Sequence, residues 1–477
     1  MYNFYLSRNI DTKWFVLLGI FLHLTASFFS IGYYNLDEHF QVLEPLAKLL
    51  ELDNSLTWEF EYKIRPWLQP NFYYLITKII NLFKFADPFT ITFVLRLVSS
   101  TIGFISIFFL YNHTKEKFNI QNNFSKFLIF GFWFYAFLHA RTSSENLSIS
   151  MLIIGFIFFD KFVESKNSTK SFLYSTNAGL FLGLSMVLKY QIVISVIFIY
   201  IWFLIHHFNF RKLIYLINSF LIIIVILFIG LLIDYFNYGF INNTYYQYYH
   251  ANFVENWFEA FGKDPWWYYL RLLVVNFSPP IGLIFLISVI FFWIKNFKNI
   301  ITYLTLPVFL ILSYLSHKEL RFLFPILIFT PFFVSYVFSN TKIFYGKIVI
   351  INIIVVVNFL FYIVLLIPAT EQVKIYQYLY YNNTENSKIF YTDDNPYRID
   401  DLEPKFYTGF LPEIKKYHTN SYVPNSLIVS RNQNVIKKII DNSNCNIVYS
   451  VYPDIINLNK NWKNREFNWY VIYCNLL

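Results

Sequence analysis

Cysteine is scarce in this chain: two in 477 residues, Cys445 and Cys474. Two thiols exclude a disulfide scaffold and a cysteine-built zinc site. Glycine (13) and proline (16) are also low, and no glycine-rich loop of the kind that cradles a nucleotide's phosphates occurs, which disfavours a nucleotide-sugar donor. There is no HExxH and no Cys/His cluster, so no metal and no cofactor is expected. Charged residues make up only 14%, against about a quarter in soluble domains. The net charge is +9, but the Lys and Arg are scattered singly through short loops. No basic stripe forms, and nucleic acid is excluded as a partner.

What is abundant is apolar surface. Hydrophobic residues reach 56%, with 58 Phe and 39 Tyr, and the mean hydropathy is +0.44. Such a chain needs lipid as part of its solvent. Apolar runs near the bilayer length predict spans at 14–32, 89–111, 126–140, 146–162, 171–188, 191–207, 213–233, 278–294, 300–315, 322–340 and 348–367. The stretch 71–85, interrupted by Lys78 and Lys84, reads as an interfacial helix. With about eleven transmembrane helices, the loops sort into two alternating sets. One set is short and basic: Arg8 and Lys13; Lys115, Lys117 and Lys126; Lys161, Lys166 and Lys170; Arg211 and Lys212; Lys295 and Lys298; Lys342 and Lys347. Positive charge belongs in the cytoplasm. The other set holds a large first loop (33–70), the corner 140–146, the 189–190 junction, loop 234–277, the corner 316–321 and everything after 368. The expected architecture is an all-α polytopic membrane domain over 1–368 and a small soluble α/β or α+β domain over 369–477 on the exoplasmic side. In that tail Ile447–Val451 and Trp469–Tyr473 alternate like strands. An oxidising compartment allows a Cys445–Cys474 disulfide; two separate buried thiols are the other reading. The first span reads as an uncleaved anchor. Of the sequons, only Asn242 and Asn382 lie in sizeable outer segments.

The polar residues of the outer set carry the chemistry. Asp37 and Glu38 stand directly after the first span, where carboxylates are costly unless solvated, paired or in use. On a helix starting there, Gln41 and Glu44 share a face with Asp37; acids favoured at a helix N-terminus are the bland reading. The same loop offers Trp58 and Arg65. Arg141 with Glu145, then Lys189, Asp234 and Trp266 follow at other outer corners. The densest is Ser316–Phe322, with His317, Lys318 and Arg321 between two apolar runs, on a side where positive charge should be depleted. Its economical use is to hold a phosphate at the headgroup level. Acids as general base, cations as phosphate clamp and aromatic faces for sugar suit attack by a hydroxyl on a lipid-phosphate sugar.

Two motifs add a family. Leu36-Asp37-Glu38-His39-Phe40-Gln41, with Glu44-Pro45, Thr57-Trp58-Glu59-Phe60 and Ile64-Arg65, is the first. His317-Lys318-Glu319-Leu320-Arg321-Phe322-Leu323-Phe324-Pro325 is the second. Together they resemble glycosyltransferase family 22, the dolichyl-phosphate-mannose-dependent mannosyltransferases, nearest in motif to the GPI-anchor enzymes that add the third mannose and to their bacterial relatives. Arg141-Thr142…Glu145 and Asp234…Tyr238-Gly239 match more loosely, and the likeness covers about 14–340. It implies a GT-C fold, inverting chemistry, a dolichyl- or polyprenyl-phosphate-mannose donor, a lipid-linked glycan acceptor and metal independence. It makes Asp37 the base with Glu38 in support. It places His317, Lys318 and Arg321 on the donor phosphate, with Arg65 beside them. Gln41, Glu44, Trp58, Arg141, Lys189, Asp234 and Trp266 are then candidates for acceptor and sugar binding. The membrane is the endoplasmic reticulum in a eukaryote, or the inner membrane in a bacterium, with the site lumenal or periplasmic. A flippase for a lipid-linked glycan is the alternative, as is a GT-C transferase for another sugar. A flippase needs charge on both sides or along a central path, and the spans offer little beyond Arg96.

Overall fold

The computed structural model describes residues 9–52, 56–83, 87–260, 262–341, 347–382, 388–399, 402–417, 423–442, 444–453 and 468–475. Arg8, Lys84 and Lys342, all named from the sequence, lie outside them. Helices follow the apolar runs: α1 Thr12–Phe29, α2 Leu68–Leu82, α3 Pro88–Thr114, α4 Asn123–Gly131, α5 Trp133–His139, α6 Ser144–Glu164, α7 Ser168–Leu188, α8 Val193–His206 and α9 Phe210–Tyr238. They continue as α10 Tyr268–Asn276, α11 Pro279–Lys295, α12 Ile300–Tyr314, α13 Thr330–Asn340, α14 Lys347–Leu365, α15 Glu371–Asn382 and α16 Gln433–Asn442. The abundant asparagine serves as helix caps. The Asn122, Asn167, Asn209 and Asn299 side chains each accept a backbone N–H of the first turn, satisfying donors a helix start leaves open. Gly239, at φ +78°, closes α9, in the left-handed conformation glycine adopts without penalty.

Every expected span is largely helical, but the lengths differ. Among the described residues, six helices (α1, α3, α6, α7, α9 and most of α14) are long and apolar enough to cross a bilayer, and a seventh span is formed if Leu320–Leu327 and α13, bent by 45°, count as one. The apolar stretches around α8, α11 and α12 are shorter. The stretch 126–140 is broken at Phe132, which is extended (ψ 125°) between α4 and α5. A break in an apolar environment exposes backbone groups that water cannot satisfy. Asn358 of α14 satisfies them: its Nδ2 donates to Gly131 O (2.9 Å) and its Oδ1 accepts from Trp133 N (2.8 Å).

The chain divides into two compact units. The first, 1–27, 57–72 and 96–366, is the helical body. Its core is aromatic: Phe118, Phe292, Phe332 and Tyr336 pack edge-on or tilted within 6 Å. α6 is buried almost throughout, whereas α9 leaves Phe228, Leu232 and Phe236 exposed. A helix apolar on its exposed face requires lipid there. Several polar groups inside this body are paired. Arg96 Nε donates to Ser27 O (2.9 Å), placing a cation at the C-terminus of α1. His23 and His139, whose pairing no local sequence signal announces, hydrogen-bond each other at 2.9 Å.

The second unit joins 28–56 and 73–95 to the tail from 367; the tail does not stand alone. Ala369 N donates to Ile31 O (2.7 Å) and Thr370 Oγ1 to Tyr33 O (2.7 Å). Its sheet has the order β2-β1-β3-β5-β4: β1 Lys388–Tyr391, β2 Ile414–Lys416, β3 Ser426–Ser430, β4 Cys445–Ser450 and β5 Tyr470–Cys474. β1 pairs in parallel with β2 and β3, and β5 runs antiparallel to β3 and β4. That register sets Cys445 opposite Cys474, with Cα atoms 4.1 Å apart, and the two form a disulfide. The open choice between bridge and thiols closes in favour of the bridge.

Candidate active site

In the second unit the opening of the first loop is not a plain α-helix. Leu36–Glu38 is one helical turn, His39–Leu43 is a π turn, and Glu44–Leu49 resumes α. A π turn inserts a residue and rotates the downstream chain by about 100°. The expected common face of Asp37, Gln41 and Glu44 is therefore lost. Gln41 and Glu44 are buried. Glu44 Oε1 accepts from His39 Nε2 (2.6 Å), five residues back across the π turn, and from Phe406 N (3.0 Å). The His39 ring stacks on Tyr407 at 5.6 Å. Glu38, also buried, accepts from Tyr34 N (3.0 Å). Asn35 caps the turn by accepting from Asp37 N (3.0 Å), and Asp37 itself is half-buried.

In the first unit the cations gather, each with a carboxylate. Helix Trp58–Glu61 carries Glu59, which pairs with Arg65 at 12% and 15% side-chain exposure. This segment is stapled to the end of α9. Asp234 Oδ1 accepts from Trp67 N (2.8 Å) and its Oδ2 from Thr244 Oγ1 (2.7 Å), while the Tyr238 hydroxyl donates to Arg65 O (2.8 Å). Asn242 Nδ2 donates to Lys63 O (3.1 Å) and is buried, which withholds that sequon from glycosylation. Asp234 therefore acts as a scaffold for the Arg65 loop.

The corner 316–323 is extended and then makes a 3-10 turn, Leu320–Leu323. Lys318 is turned inward: its ammonium donates to Asp264 O (3.0 Å) and to Leu315 O, and its N–H to Asp264 Oδ2 (3.2 Å). Asp264 N returns a bond to Ser316 O (2.8 Å). Lys318 ties loop 262–267 to the corner. Glu319 is the hub of the remainder: its Oε1 accepts from His317 Nε2 (3.0 Å) and Arg321 Nη2 (2.9 Å).

Beside this corner, Lys189 Nζ donates to Glu145 Oε1 (2.7 Å), both side chains less than a tenth exposed. Glu145 lies in the first turn of α6, capped by Ser143, and Lys189 follows the last turn of α7. Each charge complements its helix end. Burial draws Lys189 below its ordinary value; Glu145 opposes this, and Arg65 and Arg321 reinforce it. Burial pushes the Tyr248 hydroxyl up, opposed by Arg65, by a hydrogen bond with Gln191 and by Arg321. A small cavity is lined by Glu145, Ser148, Lys189, Gln191 and Arg321 together with the apolar Ile149, Ile192, Val308 and Leu312.

Of the other expected residues, Arg141 is buried, its guanidinium 5.9 Å from the Phe137 ring, and its carbonyl accepts from Asn146 Nδ2 (2.7 Å). Trp58 packs edge-on against Trp257 and Trp266 is 68% exposed. Tyr248 and the cavity-lining Ser148 carry no sequence signal, the former hidden in a tyrosine run of a tyrosine-rich chain. Glu59 and Glu319 stood inside the two motifs without a role.

Residues 14–424 match the model of the Alg9-like mannosyltransferase family. The chain belongs to that family. GPI alpha-1,2-mannosyltransferase 3 of Bos taurus is 27% identical over 344 residues, 71% of this chain and 60% of that protein. The Homo sapiens protein of that name is 26% identical over 64% of this chain and 54% of its own length. Alpha-1,2-mannosyltransferase ALG9 of Saccharomyces cerevisiae is 25% identical over 65% of this chain and 55% of its own. The chain thus matches between half and two-thirds of the length of these relatives. Among solved structures, ArnT from Cupriavidus metallidurans bound to undecaprenyl phosphate aligns over 98% of this chain and 99% of that one, at 10% identity and a TM-score of 0.59. The shared fold is the GT-C fold, and this family member is a multi-pass membrane protein.

Proposed function

We propose that this member of the Alg9-like family transfers mannose from dolichyl- or polyprenyl-phosphate mannose to a hydroxyl of a lipid-linked glycan, of GPI type or related, with inversion. The observation that carries the reading is the pair of cations Lys189 and Arg321 on a cavity also lined by apolar side chains, with the charge of Arg65 felt at Lys189, in a chain whose relatives are named mannosyltransferases. The acceptor oxygen attacks the anomeric carbon as the bond from that carbon to the phosphate oxygen breaks, its electron pair leaving with the lipid phosphate. The hydroxyl proton passes to a carboxylate. Asp37 is that base, and Glu38 holds the turn that carries it. Arg321, His317 and Arg65 stabilise the departing phosphate, Lys318 fixes their corner, and Lys189 and Arg141 add positive potential. Trp58 and Trp266 offer faces for sugar rings, Asp234 holds the Arg65 loop, and in the second unit Gln41 and Glu44 are buried just after the Asp37 turn.

All eleven apolar stretches cross or enter the membrane in this reading, with the basic loops cytoplasmic. The Cys445–Cys474 bridge supports a tail in an oxidising compartment, the endoplasmic reticulum lumen or the periplasm, and the reaction is assigned to that side. The test is a transfer assay with purified protein, mannose-charged polyprenyl phosphate and a panel of lipid-linked acceptors, with and without chelator. Mannose transfer insensitive to chelation is expected. A chain that transfers from no lipid-phosphate sugar, or only from a nucleotide sugar, refutes the reading.

A further inference from the structure

Three ion pairs neutralise the cationic corner from within, and they are not equivalent. Lys189–Glu145 has side chains 7% and 8% exposed, and Arg65–Glu59 has 15% and 12%. In Arg321–Glu319 the carboxylate is 28% exposed, the most accessible of the three acids. The backbones differ too. Glu145 sits in the first turn of the long helix α6, and Glu59 in a helical turn. Glu319 is in extended backbone (φ −121°, ψ 147°) just ahead of the 3-10 turn that bears Arg321. Of the three acids, Glu319 is also the one that bridges Arg321 and His317.

We propose that Glu319 is an exchangeable counter-ion, which the phosphate of the lipid donor displaces from Arg321 and His317. This rests on the donor reading above and names the residue that sets donor affinity. Glu319 occupies the Nε and Nη2 edge of Arg321 and Nε2 of His317, so a phosphate that binds Arg321 and His317 together through that edge takes the N–H groups Glu319 holds. Removing Glu319's charge therefore favours the incoming anion. The two other pairs, more deeply buried, keep their carboxylates, because an uncompensated charge in those places is costly. Glu319 is a positioning residue in this scheme: it touches Arg321 and His317, and it holds both in place until the donor arrives.

The experiment measures binding, so that it does not depend on turnover. Polyprenyl phosphate is titrated into the full-length protein in nanodiscs, wild type against Glu319→Gln and Glu319→Asp. Glutamine keeps an acceptor oxygen for His317 and Arg321 and removes only the charge. Displacement predicts that Glu319→Gln binds polyprenyl phosphate about fivefold tighter, and that Glu319→Asp returns toward wild type. A purely structural Glu319 predicts equal or weaker binding by Glu319→Gln, and that result overturns the proposal. If neither wild type nor variant binds polyprenyl phosphate, the donor reading itself fails and takes this inference with it. Inorganic phosphate as a second probe identifies what is recognised. Tightening with polyprenyl phosphate alone assigns the lipid-borne anion. Equal tightening with both assigns the phosphate group as such, and either outcome keeps Glu319 as the displaced group.

Discussion

Lys189→Met isolates the buried pair at the heart of the corner. The substitution keeps the length and apolar stem of the side chain and removes the ammonium. It leaves Glu145, 8% exposed, facing a cavity wall of Ile149, Ile192, Val308 and Leu312. Breaking a buried pair on one side costs roughly 3–5 kcal/mol, because the remaining charge has no solvent to return to. Arg321 lines the same cavity and recovers part of that, which puts the expected loss near 3 kcal/mol, toward the bottom of that range. In a chain of this size the melting temperature falls by about 3 °C. Glu145→Gln with Lys189→Met removes both charges and should recover most of the loss, a coupling of about 2 kcal/mol between the two positions.

The assay is tryptophan fluorescence of the purified protein during heating at one fixed scan rate, since unfolding of a large membrane protein is governed by rates. The chain holds 11 Trp, enough signal for all four members of the cycle. A Lys189→Met protein as stable as wild type refutes the reasoning. So does a double variant whose loss equals the sum of the two single losses.

Asp37→Asn is expected to cut mannose transfer at least about a hundredfold with unchanged membrane insertion; normal turnover removes Asp37 as the base. Arg321→Ala is expected to weaken apparent donor affinity about tenfold, through loss of a charge-assisted contact, and an unchanged donor titration removes Arg321 from the clamp. Asn358→Leu strands Gly131 O and Trp133 N between α4 and α5 and is expected to cost about 2–4 kcal/mol, read as a lower melting temperature than that of a Leu substitution at an exposed α14 position. Maleimide labelling of the denatured protein is expected to find no free thiol before reduction and two after it, from Cys445 and Cys474; labelling before reduction contradicts the bridge.

The apolar helices were legible because lipid demands apolar length, a property written along the chain itself, and six or seven of the described ones have the length of a span. The strands near 447 and 470 were legible because a half-buried strand alternates, and β4 and β5 fall within a few residues of the expected runs. Breaks and partitions were not. The interruption at Phe132 is stabilised by a side chain 225 residues away, and no local signal in 126–140 announces it. The tail read as a separate domain because its composition changes at 368. Its folding partners, 28–56 and 73–95, are read off contacts such as Thr370 with Tyr33 and Glu44 with Phe406, which composition does not encode.

The candidate site shows why a motif overstates its chemistry. Asp37, Glu38, Glu44 and Glu59 look alike in sequence, four acids spread over one loop. Folding divides them by what each must satisfy. Glu38 neutralises the open N–H of Tyr34, Glu44 holds a buried histidine and the N–H of Phe406, and Glu59 balances Arg65. A carboxylate accepting bonds in this way is fixed in place, which suits scaffolding. Asp37 and Glu59 are the two of the four that are half-buried, Asp37 on a turn capped by Asn35 and Glu59 in a helical turn beside Arg65; the proposed reaction uses Asp37 as its base. The same division recurs among the cations: Lys318 is committed to carbonyls, Lys189 to Glu145, and Arg321 to the most accessible carboxylate of the group. A charged residue in this helical body is therefore read first by the partner it already has. The residues left to chemistry are those whose partner a substrate can replace.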